Sequence, residues 1–104
     1  METQMTKSVI GMVQNGAVRA DGRFTLTDAE ISFEPFNKEF GLGPYHLAKA
    51  TIASAEKCFG KGAGILPITS DAIRLKMTDG HHYEFVLASS DQWVAEINHW
   101  LEAS

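Results

Sequence analysis

The sequence predicts a mostly β domain closed by one C-terminal helix. Two observations carry the prediction. Within residues 23–34 and 73–87, apolar and polar side chains alternate with the period of a strand, whereas from residue 93 onward the apolar positions recur three and four apart. At 104 residues the chain accommodates a single domain, 1–104, and no second one. An apolar fraction of 44% and a charged fraction of 21% are ordinary for a folded chain, so the core needs neither a disulfide nor a metal to hold it.

Residues 1–7 are polar and are expected to fray. Val9–Val13 and Ala17–Arg19 read as a strand or a pair of strands, with Asn15-Gly16 as a turn and Asp21-Gly22 as a bend into the next strand. Phe24 and Leu26 then alternate with Arg23, Thr25 and Thr27. After Thr27-Asp28-Ala29, Ile31 and Phe33 alternate with Glu30, Ser32 and Glu34, which makes a hairpin. Tyr45–Ala48 and Thr51–Cys58 read as strands, and Gly60–Gly64, with three glycines, as a loop. Ile73, Leu75 and Met77 run into Asp79-Gly80, a pair that tolerates the positive φ of a tight hairpin, and Tyr83, Phe85 and Leu87 return.

The final segment begins with Ser89 and Gln92 at capping-box spacing and Asp91 in the first turn, where a negative charge suits the helix dipole. Trp93, Val94, Ile97, Trp100 and Leu101 fall on one side; Glu96, Asn98, His99 and Glu102 fall on the other. An isolated helix of this length does not persist in water, so it must dock.

The order of these elements matches a known pattern. Gly22-Arg23-Phe24-Thr25-Leu26-Thr27-Asp28-Ala29-Glu30-Ile31-Ser32-Phe33 resembles the signature of GRAM and related bacterial pleckstrin-homology-like domains. Ala72–Lys76, followed by Asp79-Gly80 and Tyr83-Glu84-Phe85, resembles that family's second recurring stretch, and Trp93 with Ile97 resembles its closing helix. The resemblance covers residues 17–101. It implies a bent seven-stranded sandwich or partly open barrel with the helix plugging one end, and a role in binding phosphoinositides, peptides or other domains. Many functions share such a fold.

The residues themselves offer little chemistry. His81 and His82 are neighbours at the start of a strand and face opposite sides of it, so they do not ligate one metal without distortion. Histidine and cysteine pairs at metal spacing do not occur, and no cofactor is expected. Cys58 is a lone thiol and reads as a small strand hydrophobe, in keeping with a cytoplasmic protein. Gly60-Lys61-Gly62-Ala63-Gly64 lacks the Gly-Lys-Ser/Thr ending of a phosphate-cradling loop. The chain is therefore read as a binding module and not as an enzyme. A net charge of −4 without a basic stripe argues against nucleic acid as a partner.

Two surfaces are candidates for contact. The loop Pro35–Pro44 carries Phe36, Phe40 and Leu42, which either fold back as a lid or meet a protein partner or a second copy of the chain. The alternative is a basic group of Lys57, Lys61, Arg74 and Lys76, extended by Arg19 and Arg23, that makes weak peripheral contact with anionic lipid headgroups. A cation contributes about 1 kcal/mol at such a surface, and clusters of roughly 4–8 are the recognisable ones.

Overall fold

A computed structural model describes residues 6–15, 18–38, 41–61 and 67–103, with the backbone alone for 59–61 and 67–70. Seven strands, β1 (Thr6–Asn15), β2 (Val18–Thr27), β3 (Glu30–Pro35), β4 (Tyr45–Ala48), β5 (Ile52–Lys61), β6 (Pro67–Met77) and β7 (His82–Val86), precede one helix, α1 (Ser90–Glu102). The strands form one antiparallel sheet in the order β4-β3-β2-β1-β7-β6-β5. Mostly β architecture with a closing helix is thus what the alternation predicts.

The two edge strands, β4 and β5, are consecutive in the chain and joined only by the short 3₁₀ turn Lys49–Thr51. Such a link spans about 6 Å at roughly 2 Å per residue. A flat sheet would hold its edges about 29 Å apart, six gaps of roughly 4.8 Å, so this sheet must curl until its edges nearly meet. Tyr45 of β4 and Tyr83 of β7 accordingly touch, with ring centroids 5.2 Å apart. β4 and β5 do not pair, and the sheet stays open along that seam.

Curling requires places where strands approach closely. Gly11 and Gly22 face each other across β1 and β2. A Cβ on Gly11 would lie 2.6 Å from both the Val86 carbonyl oxygen and Leu87; one on Gly22 would meet the Glu34 carbonyl oxygen and lie 2.6 Å from Phe33. The bend expected at Asp21-Gly22 is therefore a close approach inside one continuous strand, not a break between two.

The interior is filled by Val13, Phe24, Leu26, Ile31, Phe33, Leu47, Ile73, Leu75, Phe85 and Leu87 from alternating strand positions. Phe24 packs edge-on against Phe85 at 5.0 Å and against Trp93 of α1 at 5.2 Å. Trp93, Ile97 and Trp100 are the helix's buried apolar residues; Val94 and Leu101 sit at the margin.

Several expectations need correction. Thr6 and Lys7 open β1 instead of fraying; Lys7 pairs with Glu96 and lies 5.1 Å over the Trp93 ring, clamping the helix. Gly60 and Lys61 belong to β5, while residues 62–64 of the glycine loop lie outside the described residues. The β6–β7 connection is wider than a two-residue turn: the Met77 N–H donates to the His81 carbonyl, and only Gly80, not Asp79, takes a positive φ. Ser89 precedes α1 in a left-handed conformation, not the extended one of a capping residue, and makes no side-chain cap.

Asn98 does not lie on the outer side of α1. Its amide nitrogen donates to the Ala55 carbonyl at 2.9 Å and its oxygen accepts from the Ala55 N–H at 3.0 Å. The side chain thus occupies the place of a missing neighbour strand at the β5 edge. Asn98→Ala is expected to lower stability by about 1–3 kcal/mol, since both edge groups lose their partner, read as a shift in urea midpoint at unchanged slope.

Candidate functional site

Strand alternation sends one set of side chains inward and the other to the convex outer face. Cross-strand register arranges the outer set in three parallel rows. The central row runs from Phe36, one step beyond the Gly22–Pro35 pair, through Asp21, Met12, Val86 and Ala72 to Cys58. On one side lie Glu34, Arg23 and Ile10. On the other lie Arg19, Gln14, Glu84, Arg74 and Glu56.

The last row is a closed polar ladder. Glu84 is buried; one of its oxygens accepts from Gln14 at 2.8 Å and the other from Arg74 Nε and a terminal nitrogen at 2.9 and 2.8 Å. Arg74 also donates to Glu56 at 3.1 Å, and Lys76 lies 3.3 Å from the same carboxylate. Lys76 and Arg74 hold the Glu56 carboxyl below its ordinary range, and Glu84 raises the Arg74 guanidinium further.

This arrangement dismantles the proposed basic group. Arg74 and Lys76 are engaged on the outer face, whereas Lys57 has the opposite strand parity and pairs with Asp91 of the helix at 2.8 Å, which holds its ammonium above the ordinary lysine range. The Lys61 side chain lies outside the described residues. The three described cations therefore do not converge on one mouth: Arg74 and Lys76 share Glu56 on the outer face, and Lys57 is drawn to Asp91 of the helix.

The loop after β3 divides as well. Leu42 is a core residue, flanked by Gly41 and Gly43 at φ of 69° and 105°, conformations that turn the chain so that the leucine points inward. Phe36 is 62% exposed. Phe40 lies outside the described residues. The sequence missed Ile10, which is 58% exposed on the outer face, and its half-buried neighbour Met12. Their alternation with Val9, Gly11 and Val13 was the only signal, and a run of apolar residues on both faces hid it.

A concavity of about 480 Å³ opens at the end of β1 and the start of β7. Tyr45, Tyr83, Gln14, Glu84, His81 and His82 line it, and among the described residues its lining holds neither lysine nor arginine. Desolvation and the neighbouring Tyr83 raise the Tyr45 hydroxyl. His81 pairs with Asp79 at 3.1 Å, and no group of three or more metal-ligating side chains occurs among the described residues. On β4, His46 lies 3.0 Å from Glu30, whose hydrogen bond and charge raise the imidazole above the ordinary 6.5. The pair therefore stabilises the fold below the unfolded value and loses that contribution as pH rises through the folded one. An NMR titration is expected to give His46 a midpoint above 6.5, and Glu30→Gln is expected to bring it down.

The fold is that of a mostly β, helix-closed curled sheet. No family model matches the chain, and no curated protein matches it. Among solved structures it is similar to the C-terminal domain of an unknown protein from Leishmania infantum, with a TM-score of 0.68 at 16% identity, over 91% of this chain and 82% of that one. Among the described residues no helix is long and apolar enough to cross a membrane.

Proposed function

We propose that this chain is a non-catalytic binding module of the pleckstrin-homology/GRAM kind, acting in the cytoplasm through contacts with another protein or with itself. One observation carries the reading. Phe36 and Ile10 stand exposed on the same outer face, beside Met12 and Val86, and with Val18 at the start of β2 they are the large apolar side chains left exposed among the described residues. Aromatic, methionine and arginine side chains together are the composition of a protein-contact surface. The lipid alternative is less well supported, since Lys57, Arg74 and Lys76 are already paired with carboxylates.

The test compares the wild type with an Ile10→Ser/Phe36→Ser variant in sedimentation velocity and in affinity capture from cell extract. Self-association or a specific partner that the variant loses, at unchanged thermal stability, supports the reading. A strictly monomeric wild type with no face-dependent partner overturns it.

A further inference from the structure

The charges around this face are not satisfied as they are elsewhere. Lys7, Lys38, Lys57, Arg74 and Lys76 each pair with a carboxylate, and Lys49 rests 5.2 Å over the Trp100 ring. Among the cations whose side chains are described, only Arg19 and Arg23 have neither arrangement. Arg23 reaches no further than the Ser8 hydroxyl at 3.4 Å, although Glu34 is its cross-strand neighbour; Glu34 lies instead 3.6 Å from Lys38. Both arginines project from the outer face of β2, on either side of Asp21, whose cross-strand neighbours are Met12 and Phe36. Arg19, Asp21 and Phe36 also line one shallow pocket.

We infer that the partner of this face is a protein segment with an apolar centre and a carboxylate at each end, read by Arg19 and Arg23 across Met12 and Phe36. This rests on the protein-contact reading above and specifies its chemistry. Four residue steps along the strand separate the two arginine stems by about 13 Å, the span from the first to the fifth residue of an extended peptide. An arginine with no carboxylate partner among the described residues, Arg19 with none at all and Arg23 with only the long bond to Ser8, can offer its planar fork to an incoming carboxylate without first breaking an ion pair. A lipid surface fits less well: it would press anionic headgroups on Asp21 and Glu34 as well as on the arginines, and two cations fall short of the roughly 4–8 that hold such a surface. A protein segment can place its carboxylates only where the arginines are.

The experiment titrates the ¹⁵N-labelled chain with a capped pentapeptide carrying glutamate at positions one and five and leucine at three. Its counterparts carry glutamine or lysine at the two ends. Amide shifts are expected around Ile10, Met12, Arg19, Arg23 and Phe36, with millimolar affinity that falls as salt rises. The glutamine peptide is expected to bind about fivefold more weakly, the scale of two exposed ion pairs. Arg19→Gln and Arg23→Gln should each remove part of that difference at unchanged melting temperature.

Equal binding of the glutamate and glutamine peptides at this face overturns the arginine-read chemistry and leaves the protein-contact reading standing. Failure of all three peptides to perturb the face overturns the inference, and sedimentation and capture then decide the broader reading separately. Retention on vesicles containing about 20 mol% phosphatidylserine that both arginine variants abolish, or arginine-dependent dimerisation of the free chain, assigns the face to a different occupant and overturns it too.

Discussion

Deletion of residues 90–104 is expected to leave a chain without a cooperative unfolding transition. Trp93, Ile97 and Trp100 are buried against the sheet, and Trp93 reaches the aromatic centre of the core at Phe24. Their burial contributes roughly 5–9 kcal/mol gross at about 1.5–3 kcal/mol each, against a whole-domain stability of about 5–15 kcal/mol. The helix also supplies the Asn98 amide that satisfies the β5 edge and the carboxylates that engage Lys7 and Lys57. Ile97→Asp should act in the same direction by placing a charge in a fully buried position. Near-ultraviolet circular dichroism and a urea titration check both. A truncated chain that melts cooperatively would mean that the sheet holds its curl alone.

The second large effect is expected at Glu84. Glu84→Ala removes the carboxylate that accepts from Gln14 and twice from Arg74, leaving a buried amide and a partly buried guanidinium short of partners. Losing one member of a fully buried pair costs about 3–5 kcal/mol. Arg74 is a third exposed and keeps Glu56, so the expected loss here is about 2–3 kcal/mol after allowance for solvent. Arg74→Ala should be milder, and in the double variant the two losses should fall well short of adding, because the second substitution removes a charge the first had stranded. Strict additivity in that cycle would show that the ladder carries no coupling. Because Arg19 continues this row at the far side of Gln14, Glu84→Gln should also be tested for peptide binding, where no change is expected.

Much of the architecture was readable from residue order. The hairpin around Asp28, the strand at Tyr45–Ala48 and the amphipathic final helix occur where alternation and helical spacing place them. Errors arose where local patterns are ambiguous. Gly22 looked like a bend because glycine favours turns, but here its missing Cβ admits the Glu34 carbonyl oxygen and Phe33. Ser89 and Gln92 have the spacing of a cap, but Ser89 sits at φ 60°, outside the extended region a capping residue takes, and makes no side-chain cap. Asn98 looked solvent-facing because its polarity matched its neighbours, yet an edge strand with unpaired backbone groups was close enough to claim it.

The candidate surface was only half legible, for a related reason. Phe36 could be named from its loop, but Leu42 in the same loop turned inward, and nothing in the local sequence distinguishes the two. Lys57 and Arg74 looked like companions because both are basic and central; strand parity puts them on opposite faces.

Local side-chain periodicity, which depends only on backbone geometry, determined which segments are strands, which is helix and which residues of each face inward. Register across strands far apart in the chain decided the rest: that Arg19, Met12 and Phe36 share one face, that Glu84 meets Arg74 and Gln14, and that neither Arg19 nor Arg23 is paired with a carboxylate among the described residues. Those relations depend on the strand order that places β7 beside β1, a pairing between segments about 70 residues apart in the chain.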